Sequence, residues 1–330
     1  MDQFPHVVQK AAHSDPGRPL SDVRVVAVMV TYNRPDMLSR CVDAVARQVR
    51  PPDQLLIVDN ASEPPAAVSL PGGPPLTILR PNSNLGPAGG FGVGIRAALD
   101  EGADYVWLMD DDGMPATADC LSRLLAAAEA ERAAIISPLV VDIERNDRLA
   151  FPLRHQGRTR FRAAELSHAP YVRGFAHLFN GALIAAHAFA IAGLPDQRLV
   201  IRGDEVDFMF SVRRAGLTIL TCCTTRFLHP GSTHEIHPIL GGLFYAVIPA
   251  DPLKRAYQFR NRGWIFSRHG MWGWLFADHV RYAWWYVLHA RDPAGYLQWI
   301  RLTWRGVFGR LGPIRQARAR GMQVINEAVL

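Results

Sequence analysis

Four short apolar runs, at residues 23–30, 55–58, 76–79 and 105–109, recur along the first third of the chain with spacers too long for hairpins. Parallel strands need crossovers of a dozen or more residues, usually helical. The segments at 38–49 and 95–101 carry helical spacing. The first run is rich in valine and ends at Thr31-Tyr32-Asn33-Arg34-Pro35, the pattern of a buried strand giving way to a helix with proline in its first turn. The expected class is therefore α/β, with a Rossmann-like, mostly parallel sheet built from right-handed crossovers and flanked by helices. Ligands in such sheets collect beyond the carboxyl ends of the strands. Asn33, Asp59, Asn84 and the triplet Asp110, Asp111 and Asp112 are expected along that edge.

The triplet closes an apolar segment beginning at Trp107 and precedes Gly113-Met114-Pro115. Three adjacent carboxylates leaving a buried strand fit a hard divalent ion completed by phosphate oxygens and water. They equally fit an acidic turn in which one Asp caps a helix. The glycine-rich stretch 82–94 contains Gly92-Val93-Gly94-Ile95-Arg96-Ala97, but a dinucleotide fingerprint must follow a strand directly, and this one follows Pro, Asn and Gly. The stretch reads instead as a flexible loop, either approaching a ligand through its backbone or simply connecting two elements.

After residue 160 the alternation becomes irregular. A loop at 179–181 feeds an apolar segment, 182–186, and Arg202-Gly203-Asp204-Glu205-Val206-Asp207 opens a helix running to 215 and ended by Gly216. The carboxylates of its first turn suit the helix dipole, and one of them also suits a general base. A short strand is expected at 218–223. His229 follows it, either as a structural hydrogen-bonder or as a metal ligand beside the acidic triplet. His234 and His237 lie in a polar loop, where they are expected at the surface, with contact to substrate as the alternative. From 253 onward the chain reads as helical and rich in Arg and Trp. Trp272, Trp274, Leu275, Phe276, Arg281, Trp284 and Trp285 fit an interfacial element, or helix packing alone.

The 330 residues are 49% hydrophobic and 20% charged, enough for a large core. Net charge is +6, with arginines recurring from 291 to 320, which favours an anionic partner. Cys41, Cys120, Cys222 and Cys223 show neither a CxxC pair nor a disulfide framework, so a reducing cytoplasm is expected. The first 20 residues lack the apolar core of a signal peptide.

Val30-Thr31-Tyr32-Asn33-Arg34, Val58-Asp59-Asn60, Asn84-Leu85-Gly86, the triplet, Gly203-Asp204-Glu205-Val206-Asp207 and Leu228-His229-Pro230 occur together in that order. The combination resembles the inverting family 2 glycosyltransferases of GT-A fold. Ser137-Pro138, Leu149-Ala150-Phe151-Pro152-Leu153, Phe179-Asn180-Gly181-Ala182-Leu183, Asp251-Pro252-Leu253-Lys254-Arg255 and Arg260-Asn261-Arg262-Gly263 are similar to one branch, the actinobacterial galactofuranosyltransferases that initiate cell-wall galactan.

The resemblance implies a polar leader at 1–22, a GT-A domain at 23–245 and a helical, basic and aromatic region at 246–330. It also implies transfer of the first galactofuranose residues from UDP-galactofuranose to a polyprenyl-diphosphate-linked rhamnosyl-N-acetylglucosamine, at the inner face of the plasma membrane. Thr31, Asn33, Asp59, Asn84, Asp110 and Asp111 would bind the nucleotide, with Asp59 on the uracil. Asp110, Asp112 and His229 would hold Mg2+ or Mn2+. The base would be Glu205 or Asp204. A nucleic-acid partner is not expected. The competing classes are a related transferase with another donor, such as a rhamnosyl nucleotide, and a non-catalytic sugar-nucleotide-binding scaffold of a polysaccharide assembly complex.

Overall fold

The computed structural model describes residues 22–314. The expected leader lies outside them except for its last residue, as do the arginines beyond 314. The described chain forms two compact units interleaved along the sequence, with no single boundary near 245. The first takes the residues up to Asn84, then Gly90–Leu194 and Ser211–Gly231; the second takes Leu85–Gly89, Pro195–Phe210 and the residues from Ser232 onward.

In chain order the elements are β1 (Val25–Thr31), α1 (Pro35–Ala46), β2 (Gln54–Asp59), β3 (Leu76–Leu79), α2 (Gly86–Asp100), β4 (Tyr105–Asp110), β5 (Met114–Pro115) and α3 (Cys120–Glu131). They continue with β6 (Ile135–Asp142), β7 (Arg148–His155), β8 (Arg158–Arg162), β9 (Tyr171–Arg173), β10 (Asn180–Ala185), α4 (Ala186–Ala192), α5 (Asp204–Arg214) and β11 (Ile219–His229). The last are β12 (Ile236–Ile239), β13 (Phe244–Val247), α6 (Pro252–Arg268), α7 (Trp272–Ala283), a π-helical turn (Trp284–His289) and α8 (Pro293–Val307).

The first unit holds one large sheet whose main path runs β3-β2-β1-β4-β10-β6-β11-β5. Its first four strands are parallel, as the crossover spacing requires. Beyond β4 it is mixed, because β10 enters antiparallel between β4 and β6. β11 runs parallel to β6, so β1, β2, β4, β6 and β11 all point the same way. All seven residues of β1 are buried, and α1 covers the sheet with Leu38, Cys41, Val42 and Val45 at helical spacing. Trp107 is wholly buried, and its indole donates to the Gly181 carbonyl at 2.9 Å.

The glycine-rich stretch is not a loop. From Gly86 it belongs to α2. A Cβ on Gly94 would run into Val28 and touch Val58, and one on Gly90 would meet Val30 Cγ1 at 2.8 Å. These glycines let the helix axis approach the sheet, which outweighs their poor helix propensity. β11 also departs from expectation, running to His229 where a strand at 218–223 was expected. Its register against β6 slips between Cys222 and Arg226, opposite Pro138, which has no N–H to give the ladder. The bulge lets pairing resume and carries the strand to the carboxyl edge.

In the second unit α6 and α8 cross where two glycines meet backbone: a Cβ on Gly263 would run into the Thr303 carbonyl, and one on Gly306 into that of Arg260. Asp251 and Asp292 cap these helices by accepting from Lys254 N (2.7 Å) and Gly295 N (2.9 Å). α7 buries Leu275, Asp278 and Tyr282, and Asp278 accepts from both Arg262 and Arg281. The aromatic run therefore divides. Leu275 is core, and Trp284 and Trp285 pack against the cluster around Phe259 and Trp299. Trp272 (54% exposed), Phe276 (71%) and Val280 (51%) form an i, i+4, i+8 stripe open to solvent. His237 is not a free surface residue: its ring lies 4.2 Å from that of Trp285.

Candidate active site

Parallel strands put their last residues on one edge of the sheet. Thr31 pairs in register with Asp59, Val30 with Asp110, and β11 ends at His229. The loops at this edge are cross-tied. Asn33, with φ 54°, donates its backbone N–H to Ser62 Oγ (2.9 Å) and accepts from Glu63 N (2.8 Å), and Asn60 N donates to the Thr31 carbonyl.

The triplet is divided by burial. Asp111 points inward, 4% exposed; its carboxylate accepts from the Thr31 hydroxyl at 2.7 Å and from Arg34 at 3.2 Å. Burial raises its pKa, with those two donors partly opposing. Thr31 and Asp111, both expected on the nucleotide, thus satisfy each other. Asp59 is likewise fully buried, accepting from Ser62 N, Ala66 N and Arg80, so its carboxylate is not open to a base. Burial pulls its pKa up, but the Ser62, Ala66 and Arg80 donors more than offset this and hold it below the usual range. These residues shape the edge from beneath. Asn84 is half-buried just before α2, and Asp110 is half-buried at the end of β4.

Asp112 and His229 are brought together, Nε2 to Oδ1 at 3.1 Å. His229 Nδ1 lies 2.7 Å from the Pro230 carbonyl, which can only accept, so Nδ1 carries a proton and Nε2 is the nitrogen turned towards Asp112. Asp112 Oδ1 is buried without an aligned hydrogen-bond donor. A carboxylate oxygen and an imidazole nitrogen side by side are ligands that a divalent cation can share, and the outer N–H bonded to a carbonyl is the usual support of a ligating histidine. The donor set fits a divalent metal. Among the described residues, no three His, Cys, Asp or Glu side chains are grouped to hold an ion without other ligands. Asp110 does not join the pair, contrary to the expected trio. Arg34 Nη1 reaches Asp112 at 2.7 Å, so the pair is partly neutralised by protein. Burial pulls Asp112 upward, yet His229 and Arg34 together hold its pKa below the ordinary carboxylate range.

Sequence reasoning assigned no role to Arg34, Phe151 or His177. Phe151 packs between two imidazoles, 4.9 Å from His229 and 5.0 Å from His177. His177 is deeply buried, and that burial, with some repulsion from His229, lowers its pKa to about 3. Phe151 stood inside a quoted motif, but nothing in the sequence placed it on His229.

The second unit carries the other acidic cluster. α5 begins at Asp204. Asp204 is 2% exposed with Oδ2 unpartnered, and burial, then the charge of Glu205, pushes its pKa up to about 7. Glu205 is half-exposed and lines a cavity of about 150 Å³ together with Arg202, Gln258, Asn261, Arg262 and Phe266. Asp207 is tied to Arg268 and His269. The approach to α5 is strained. Val200 (φ 62°, ψ −63°) centres a three-residue turn closed by Ile201 N on the Leu199 carbonyl at 2.7 Å, and Arg202 (φ 68°) is left-handed. Such conformations cost about 1–3 kcal/mol each and persist only where the surroundings enforce them.

A sheet with acids, an imidazole and an arginine at its carboxyl edge, flanked by helices, is the architecture of a GT-A glycosyltransferase. The model of the family described as "Glycosyl transferase family 2" matches residues 26–192, and the chain belongs to that family. It is 42% identical over 289 residues to galactofuranosyltransferase GlfT1 of Mycolicibacterium smegmatis, covering 86% of this chain and 96% of that one. To galactofuranosyltransferase GlfT1 of Mycobacterium tuberculosis it is 43% identical over 297 residues, covering 87% and 98%. In fold it is similar to the crystal structure of GalNAc-T7 with UDP, GalNAc and Mn2+, with a TM-score of 0.50 at 15% identity over 74% of this chain; it spans 47% of that chain.

Proposed function

We propose that the enzyme transfers galactofuranose from UDP-galactofuranose, with inversion, to a polyprenyl-diphosphate-linked rhamnosyl-N-acetylglucosamine, adding the first residues of a cell-wall galactan. The observation that carries this is the match to galactofuranosyltransferases over 96–98% of their length. Asp112 and His229 are the residues to hold a divalent cation, Mn2+ or Mg2+. When bound, the ion supplies charge neutralisation for the departing diphosphate. Arg34 adds a fixed positive charge beside Asp112. Thr31, Asn33, Asp59 and Asp111 shape the nucleotide edge through the bonds described above, and Asn84 and Asp110 are assigned to donor contacts.

Glu205 is the base. It is accessible within a cavity, whereas Asp204 beside it is buried, with its pKa pushed up to about 7. Glu205 takes the proton of the acceptor hydroxyl as that oxygen attacks the anomeric carbon, and no covalent sugar–enzyme intermediate is needed. Base assistance of this kind contributes about 10²–10⁴ in rate. Among the described residues no helix is long and apolar enough to cross a membrane. The stripe Trp272, Phe276 and Val280, with Trp274 and Arg281 nearby, is assigned to peripheral contact with the cytoplasmic face of the plasma membrane, where a lipid-linked acceptor resides.

The test is mass spectrometry of products from UDP-galactofuranose and a synthetic rhamnosyl-N-acetylglucosaminyl lipid diphosphate. One or two added hexoses are expected. No product with this donor, alongside product from a rhamnosyl nucleotide, would overturn the donor assignment.

A further inference from the structure

The segment 198–203 leads directly into the two carboxylates at the start of α5, and its backbone is strained. Positive φ recurs at Val200, Arg202 and Gly203 (φ 93°). A valine there is unfavourable, so something must hold it. Asn261, 1% exposed in α6, points its amide at this segment: Nδ2 donates to the carbonyls of Leu199 (2.8 Å) and Arg202 (2.7 Å), with that of Ile201 at 3.2 Å. Asn261 Oδ1 accepts in turn from Arg260 Nε at 2.8 Å, which fixes the amide's orientation.

Arg260 is unusual in its own right. It is fully buried, and its guanidinium donates to neutral oxygens: Asn261 Oδ1 and the carbonyls of Arg198 (3.0 Å), Leu311 (2.9 Å) and Gly312 (2.9 Å). Its Cζ lies over the Tyr257 ring, 4.6 Å from the ring centroid. Burial lowers its pKa to about 10. A buried cation bonded to carbonyls is costly to keep. Here those carbonyls belong to the segment before α5 and to the chain after α8. Gly203 completes the fit: a Cβ there would meet Ile265 Cδ1 at 3.0 Å and Asn261 Cβ at 3.3 Å.

We infer that Asn261, braced by Arg260, is a positioning residue that clamps the strained segment 199–203 and thereby sets the aim of the Glu205 carboxylate. The inference rests on the assignment of Glu205 as base, so Glu205→Gln is measured beside it. A base displaced by about an ångström loses on the order of 10²-fold in turnover. A clamp that acts on aim alone changes kcat and the pH dependence of kcat, and leaves donor binding intact.

The experiment compares full-length Asn261→Ala, Arg260→Lys and Arg260→Met with Tyr282→Phe as a stability control. Tyr282 donates to the Val247 carbonyl at 3.0 Å, so its loss destabilises the same unit without touching the clamp. For Asn261→Ala, kcat is expected to fall about 10–100-fold with donor KM within twofold, and the acid limb of the kcat profile to move. Arg260→Lys is expected to retain more turnover than Arg260→Met, since an ammonium can still serve two of the carbonyls. Tyr282→Phe should leave kcat within twofold even where its melting temperature falls as far. Unchanged kcat in Asn261→Ala, or losses that track melting temperature equally in Tyr282→Phe, would overturn the clamp while leaving the base in place. Full activity in Glu205→Gln would remove the base assignment and the inference with it.

Discussion

Asp204 and Glu205 are adjacent in sequence, and burial gives them different chemistry. Asp204 is enclosed, with no partner for Oδ2 when ionised, so its neutral form is the tolerable interior group, whereas Glu205 opens onto a cavity. Because the folded pKa of Asp204, about 7, lies above its unfolded value, the folded state binds more protons in between. The stability it contributes is fully present below pH 4 and is lost as pH rises through 7, with an upper bound on the order of 4 kcal/mol. In thermal melts at pH 5 and pH 8, Asp204→Asn should therefore lose less stability than the parent over that interval; parallel losses would show that Asp204 is not the group responsible. At the other constellation, His229→Ala removes the imidazole nitrogen beside Asp112. It should raise the Mn2+ concentration needed for half-maximal activity by at least tenfold, and an unchanged requirement in a metal titration would exclude His229 from the ion. The acidic triplet and His229 were visible in the sequence as candidates. Their division was not, because whether Asp111 or Asp112 turns inward depends on the Thr31 hydroxyl at the end of β1 and the Arg34 guanidinium just before α1, both remote in sequence.

Elements follow local pattern where one face is buried, and depart from it where close packing decides. β1, β2 and β4 and the helix after β1 were legible from apolar runs and a proline. α2 was not, because five glycines between 86 and 94 look like a loop until Val28, Val30 and Val58 lie beneath them. Gly94→Ala should gain up to about 1 kcal/mol in helix propensity and lose about 1–3 kcal/mol to overpacking against Val28. A net fall in the urea midpoint is expected, and a rise would show that the helix has room to move. The extension of β11 to His229 was missed for a related reason. It depends on a bulge opposite Pro138, a feature of pairing between strands 80 residues apart in sequence. Arg260 and Asn261 stood in a quoted motif without a role, since their partners at 198–202 and 311–312 are remote in sequence.

At the scale of the whole molecule, α7, α8 and the residue that follows α8 leave several large apolar side chains exposed. Trp272, Trp274, Phe276, Val280, Leu297 and Phe308 are all open to solvent, and each costs hydration free energy unless something covers it. Trp272→Ser with Phe276→Ser should reduce cosedimentation with anionic liposomes severalfold while leaving the melting temperature nearly unchanged, since neither side chain is core. Equal binding by the parent and the double variant would end the membrane assignment. By itself the sequence determined the parallel half of the sheet, the loops at its carboxyl edge and the residue types gathered there, because strand period, crossover length and turn chemistry are local properties. Only the tertiary structure decided which carboxylates are buried, which imidazole nitrogen faces Asp112 and which aromatic rings stay outside, because burial and hydrogen-bond partnership are set by residues distant in the chain.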